Sequence, residues 1–244
     1  MKKLEKTSTK APKSVDRKKI EKETQEMYIL IKELHKKMRA ENKHSMLLVF
    51  QGMDASGKDG SIYKLYSGLY PMAVHAHSFK APNEYEASKD FLWRIHNLTP
   101  AKGHISIFNR SHYEDILVPS VHGIFDNKTI DKRYEHINNF EELLEDNQTH
   151  VIKFFLHISK EEQASRFEER ANSLEKKWKY NSKDLEESKL WDEYMGVYEK
   201  IFDKSKIDWN IIPADNKWYR NHCIAKVLLE KMLSLKMKYP KELR

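Results

Sequence analysis

The chain has 244 residues, enough for one large domain or two small ones, and its 44 Lys+Arg against 37 Asp+Glu leave a formal net charge of +7. Its 10 Phe, 5 Trp and 12 Tyr argue against disorder, while a single cysteine, Cys223, excludes an intramolecular disulfide framework and any multi-cysteine zinc site. No apolar run approaches the roughly 20 residues that span a bilayer, and the cationic excess suits an anionic partner: nucleotide, nucleic acid, inorganic polyanion or acidic lipid. The basic start, MKKLEKTSTKAPK, has no apolar stretch behind it and is not a secretory signal, so a soluble cytoplasmic protein is expected.

Residues 1–14 are Lys-, Ser- and Thr-rich and are expected to fray. Val15 to Ala40 reads as an amphipathic helix, with Met27, Leu30, Ile31, Leu34 and Met38 on one stripe. It precedes the first strand, so it is expected outside the main fold or on a partner chain. Residues 1–45 are accordingly set apart from a main domain over 46–244. Strands are predicted at Met46–Gln51, Val74–Phe79, Ile105–Phe108, Val151–Ile158 and Trp209–Ile212. Helices are predicted from Gly60 to about Leu69, then at Asn83–Leu98, Thr129–Asp146, Lys160–Asn172, Lys183–Asp203 and Trp218–Lys238. The alternation implies right-handed crossovers and a mainly parallel five-stranded sheet with helices on both faces.

Three segments carry chemistry. GMDASGKDG, Gly52 to Gly60, follows a buried strand and fits the phosphate-loop spacing G-x-x-x-x-G-K. Glycines there let backbone amides wrap a phosphate, so Gly52, Ala55, Ser56, Gly57, Lys58, Asp59 and Gly60 form the expected phosphate cradle. The following helix N-terminus adds partial positive charge, and Lys58 is expected as an exposed, mobile point charge. Asp59 stands where a hydroxyl would ligate magnesium, and Asp54 is the carboxylate expected to compensate. The ordinary alternative is a surface turn with an incidental lysine.

HISIFNRSHYED, His104 to Asp115, ends a strand in a polar cluster, and ligand sites of open α/β sheets lie at that end. Asn109, Arg110 and Glu114 are therefore expected near the loop on the nucleotide side, and Asp115 as the second acidic ligand of Mg²⁺ beside Asp54. Plain helix capping is the alternative. In KEEQASRFEERANS, Arg166 and Arg170 are four apart on one helix face and could clamp transferring phosphates, or could simply pair with neighbouring glutamates. Lys80 sits on the rim of the second strand, and Lys176, Lys177, Trp178 and Lys179 extend the basic face. His75 and His77 are read as core or rim histidines, and Cys223 as a packed thiol.

Six segments in order resemble the polyphosphate kinase 2 family: GMDASGKDG, FKAPNEYEASKDFLWRIH, GHISIFNRSHYEDIL, FEELLEDNQTHVIKFFLHISKEEQASRFEER, WKYNSKDLEESKLWDEY and IIPADNKWYR. The resemblance implies a P-loop kinase-like three-layer α/β/α sandwich with a helical lid over about 160–190. It implies phosphoryl transfer between inorganic polyphosphate and a nucleotide (ADP, GDP or AMP as acceptor), reversible and dependent on Mg²⁺ with Mn²⁺ as a substitute. Lys58 matches the family's loop lysine, Asp54 its in-loop aspartate, Asp115 that of its second acidic motif, and Arg110 the arginine after the asparagine. Arg166 and Arg170 match arginines at the lid, and Lys80 a basic residue near the phosphate path. Ser120 stands where the family usually has an arginine. A homo-oligomer (dimer or tetramer) without nucleic acid or membrane is expected. Two readings compete: an ATP-dependent nucleoside monophosphate kinase of the P-loop class, and a non-catalytic polyanion or nucleic-acid binder.

Overall fold

The protein is described by a computed structural model covering residues 4–174, 177 and 182–241. Five apolar runs form strands: β1 (Ser45–Gln51), β2 (Val74–Ser78), β3 (Ile105–Asn109), β4 (Thr149–His157) and β5 (Trp209–Pro213). They pair in the order β2-β3-β1-β4-β5, and every pairing is parallel. β1 is buried along its whole length, which is why Met46–Phe50 reads as an unbroken apolar run. Because the strands run the same way, the segments that leave β1, β3 and β4 emerge side by side at one sheet end. There the connection from β1 runs to one side, to β2, and that from β3 crosses to the other, to β4, the kind of position where open sheets bind ligands.

The crossovers are α2 (Lys58–Tyr66), α3 (Glu84–Ala87), α4 (Trp93–His96), α5 (Glu114–Val121), α6 (Asn127–Asp146), α7 (Lys160–Asn172), α8 (Ser182–Glu187) and α9 (Trp191–Lys204). Two further helices, α1 (Arg17–Glu41) and α10 (Lys217–Ser234), pack along each other. They are joined at Thr24 Oγ1 and His222 Nδ1, 3.1 Å apart. Sheet and flanking helices make the three-layer α/β/α sandwich. No helix among the described residues is long and apolar enough to cross a membrane.

Several expectations are corrected. Residues 4–14 do not fray: Leu4 is 2% exposed and belongs to the central core. The region before residue 46 is not a separate unit, since Ile31 and Met38 join the same core as β1. The single helix expected over Asn83–Leu98 is two short ones. A capping box between Asn83 and Glu86 starts the first, and the Asp90 carboxylate, accepting from Leu92 N at 3.0 Å, restarts the chain for the second. The helix expected over Lys183–Asp203 is likewise broken at Ser188–Leu190. The α5 helix was hidden by Pro119, which sits inside it. Proline lacks the N–H that would bond the Asp115 carbonyl, and the Arg133 guanidinium donates to that carbonyl instead.

Candidate active site

The turn after β1 has the backbone that its glycines require. Gly52 has φ +144° and Gly57 +98°, and Ala55 is also left-handed at +62°. A Cβ on Gly57 would lie 2.0 Å from Arg220 Nη1, so a side chain there would have to displace that guanidinium as well as adopt an unfavourable φ. Lys58 begins α2 beneath this turn. Contrary to expectation it is not exposed: 8% of its surface is accessible, and its ammonium donates to the carbonyls of Gly52 (2.6 Å) and Met53 (3.2 Å). Burial pulls its pKa below the lysine range, against the opposing pull of Asp54.

Arg110 leaves β3 with φ +60°, a left-handed conformation that is costly for a residue with a Cβ. Its amide is bonded to Phe50 O at 3.0 Å, and its Nη2 donates to Asp54 Oδ1 at 2.9 Å. Burial pushes the Asp54 carboxyl up, but Lys58 and Arg110 outweigh that and hold it below the usual range. Glu114 opens α5 in the same cleft. There burial dominates, and its carboxyl is raised despite Arg110 and Lys58. Beneath this segment lies a buried ionic cluster. Glu141 accepts from Lys153 Nζ (2.6 Å) and Tyr113 Oη (3.0 Å) and pairs with His112 Nε2 at 3.2 Å. All four side chains are inaccessible, so residues 112–113, next to Arg110, are tied to β4 and α6.

Asp115 does not join Asp54. Consecutive residues on a helix diverge by about 100°, and while Glu114 takes the loop side, Asp115 turns to the other. It lies between Arg94 (3.6 Å) and Arg133 (3.7 Å) and lines a separate cavity with Phe79, Lys80 and Phe91. Asn109 and Lys80 do reach the cleft above the phosphate loop, where Asn109 Nδ2 donates to Asp59 Oδ1 at 2.8 Å.

Helix α7 braces the loop. Gln163 Nε2 donates to Asp54 O at 2.8 Å. Arg166 Nη1 donates to Ala55 O (2.9 Å) and Ser56 O (3.0 Å), Nη2 to Ala214 O (2.8 Å) and Asp215 O (3.0 Å), and Nε to Glu162 Oε1 (2.8 Å). All five guanidinium N–H groups are thus committed. Arg166 sits behind the loop and cannot clamp a transferring phosphate, which corrects the expectation for it. Arg170, one turn further along, lines the cleft above the loop and approaches Asp184 Oδ2 at 3.9 Å. Spacing put both arginines on one face; only depth separates a brace from a ligand-facing group. Lys177 is exposed, while Lys176, Trp178 and Lys179 lie outside the described residues.

The family model described as Polyphosphate kinase 2 (PPK2) matches residues 14–240. The chain belongs to the polyphosphate kinase 2 family. It is 44% identical over 213 residues to the AMP/ADP-polyphosphate phosphotransferase of Meiothermus ruber, covering 86% of this chain and 80% of that one. It is 41% identical to the ADP-polyphosphate phosphotransferase of Rhodopseudomonas palustris, covering 86% and 78%. The crystal structure of Polyphosphate Kinase 2 from Arthrobacter aurescens TC1 superposes with a TM-score of 0.92 at 35% identity, covering 97% and 86%. As a polyphosphate kinase 2 chain, the protein is an enzyme with the P-loop kinase-like architecture inferred above.

Within this polyphosphate kinase 2 site, a divalent cation can be tested against the donors present. Among the described residues no group of three or more His, Cys, Asp or Glu could hold a metal ion. Mg²⁺ needs no such cage: it binds through one or two carboxylates, substrate phosphates and water. Asp54 fits that mode, because Arg110 engages its Oδ1 and the residue stays 28% accessible in its side chain. Asp115, between two arginines in another cavity, does not fit. Sequence reasoning missed Gln163, Arg220, Asp184 and the Lys153–Glu141 pair. Of these only Gln163 was signalled, three residues before Arg166 on the same helix face.

Proposed function

We propose that the enzyme transfers a phosphoryl group between inorganic polyphosphate and a nucleoside mono- or diphosphate (AMP, ADP or GDP), reversibly. The carrying observation is the cleft itself: a phosphate loop, Lys58, Arg110 and Arg170 converge on one space that also holds Asp54 and Lys80. The names of the Meiothermus and Rhodopseudomonas relatives support the substrate pair.

Two cavities of opposite sign flank Arg110, and we assign the substrates between them. The one past Lys80 is lined by five cations (Lys80, Lys89, Arg94, Arg110, Arg133) and three carboxylates (Glu86, Glu114, Asp115). Its aromatic faces are already covered, with Arg133 4.8 Å from the Phe91 centroid and 4.3 Å from that of Phe125. A polyanion suits it better than a base. The other lies under α8 and α9, lined by four carboxylates (Asp54, Glu114, Asp184, Glu187) with Tyr194, Leu117 and Val118. Its acceptors and apolar walls suit the donors and ring of a nucleoside, whose phosphate then points back to Asp54 and Arg110.

In this reading an oxygen of the acceptor phosphate attacks the terminal phosphorus of polyphosphate in line, the bond from that phosphorus to its bridging oxygen breaks and the shortened polyphosphate leaves, while the protein contributes position and charge rather than a covalent bond. Loop amides and Lys58 hold the transferred group, Arg110 and Arg170 meet charge shifting onto its oxygens, and Asp54 orients the attacking phosphate. Asp54 would also hold Mg²⁺, which when bound neutralises phosphate charge. The His122–Glu187 and Tyr194–Glu187 contacts (3.2 and 2.6 Å) close the nucleoside side against water. We place the enzyme in the cytoplasm as a homo-oligomer. Mixing the protein with Mg²⁺, polyphosphate and ADP or AMP, beside ATP and AMP, tests the assignment by product nucleotide. ATP or ADP formed at the expense of polyphosphate is expected. Turnover only with ATP as donor would overturn it.

A further inference from the structure

The mechanism leaves the amino-terminal strap unused, although it is anchored at both ends beside the site. Leu4 is buried in the core, and its amide donates to Glu199 Oε1 on α9 at 2.7 Å. Five residues on, Thr9 Oγ1 donates to Asp215 Oδ2 at 2.8 Å, and the Asp215 amide donates back to Thr9 O at 3.0 Å. Ala11 N then donates to Asn216 Oδ1 at 2.9 Å. A strap that only covered apolar surface would need Leu4 alone. This one spends its polar groups on the turn after β5.

That turn is a junction. The other carboxylate oxygen of Asp215 accepts from Ser159 N at 2.9 Å, and Ser159 is the residue whose side chain caps α7. The Asp215 carbonyl accepts from Arg166, whose other guanidinium nitrogen holds Ala55 and Ser56 of the phosphate loop. The side chain is 8% exposed, so water competes little for these bonds.

We propose that Thr9 and Asp215 are positioning residues of the phosphotransfer site: the strap fixes Asp215, and Asp215 sets the first turn of α7 and, through Arg166, the phosphate loop. The strap meets α9 directly at Glu199 and reaches the start of α7 through Asp215 and Ser159. The proposal rests on the phosphotransferase reading for its catalytic consequence and on geometry alone for its structural one.

Thr9→Val keeps shape and removes the hydroxyl; Thr9→Ser restores it. Both leave Leu4 in place. Steady-state kinetics with polyphosphate and ADP are measured well below the thermal midpoint, alongside amide hydrogen exchange of the same proteins. Expected for Thr9→Val is a fall in kcat of about five- to tenfold, about 1 kcal/mol in barrier, with KM for both substrates within about twofold. Amides of 52–60 and 158–164 should exchange faster while those of β1 and β4 do not change, and Thr9→Ser should recover both. Wild-type kcat in Thr9→Val overturns the proposal, whether or not exchange changes. So does a loss of kcat with unchanged exchange in those two segments. If the wild-type protein does not use polyphosphate at all, the functional reading fails, and the exchange pattern alone decides whether the strap sets the loop and helix.

Discussion

Asp54 and Arg110 meet at 2.9 Å across the ends of two neighbouring strands, one from the turn after β1 and the other from the left-handed residue that ends β3. Asp115, five residues beyond Arg110, faces two other arginines and never reaches this pair. The two aspartates should therefore separate by experiment. Asp54→Asn is expected to raise the Mg²⁺ midpoint for activity about tenfold or more, equivalent to about 1.4 kcal/mol. Asp115→Asn should leave that midpoint alone and unfold no more easily than the wild type at pH 7, because burial outweighs Arg94 and Arg133 and holds the Asp115 carboxyl above its usual range. Activity against Mg²⁺ concentration and urea unfolding of each variant check this.

The arginines of α7 should separate in a complementary way. Arg166→Lys offers three N–H groups where five are used, and at least two acceptors lose a partner. A loss of about 2–4 kcal/mol in stability is expected. Arg170→Lys should unfold like the wild type, since among the described residues Arg170 makes a 3.9 Å approach to Asp184 and a loose contact 5.7 Å over the Phe167 ring, yet lose about 10²-fold in kcat. Denaturant midpoints and turnover, measured together, distinguish the brace from the ligand-facing group.

Glu114 gives a pH signature. Its folded pKa lies above the ordinary 4.5 because burial outweighs Arg110 and Lys58. Its charge opposite Arg110 is lost as pH falls through that raised value. The acid limb of kcat/KM should therefore begin above the usual glutamate range, and Glu114→Gln should be weakly active without that limb. The stability sign is the reverse. The folded state binds this proton more tightly than the unfolded one, so the group costs stability above its folded pKa and the cost fades as pH drops. Glu114→Gln is expected to melt higher than the wild type at pH 7, a few degrees for about 1 kcal/mol.

Salt should separate the substrates. On the proposed assignment polyphosphate engages several cations at once along Lys80, Arg110 and the cavity beyond. A nucleotide carries fewer charges and gains from its ring. Between about 50 and about 300 mM salt, KM for polyphosphate should rise more steeply than KM for ADP. Equal slopes would argue against a cationic track.

The sequence displayed the frame well and the depth poorly. Strands and the bounds of α7 were legible because apolar runs and a 3.6-residue period are local signals. The phosphate loop was legible because its glycines answer to φ values no other residue adopts easily. Pro119 concealed α5, and with it the phase that separates Glu114 from Asp115. In sequence the strap looks like a frayed tail because its anchors lie about 200 residues away: Leu4 on Glu199, Thr9 on Asp215. Spacing placed Arg166 and Arg170 on a common face, but which is swallowed beneath the loop depends on where the helix meets the sheet, and no local pattern carries that.

Three consecutive carbonyls of the phosphate loop, those of Asp54, Ala55 and Ser56, are pinned by Gln163 and Arg166. A peptide group is planar, so pinning its oxygen also fixes the direction of the N–H on its far side. The amide of Ser56 donates to Met53 O at 3.1 Å, and those of Ala55 and Gly57 are aimed while the chain folds, before any substrate arrives. Their ordering entropy is settled in the folding equilibrium, where a large core offsets it, and little of it is left to weaken the grip on a small anion. The loop behaves as a rigid mould, and a substrate that does not match its spacing gains nothing by waiting for it to adjust.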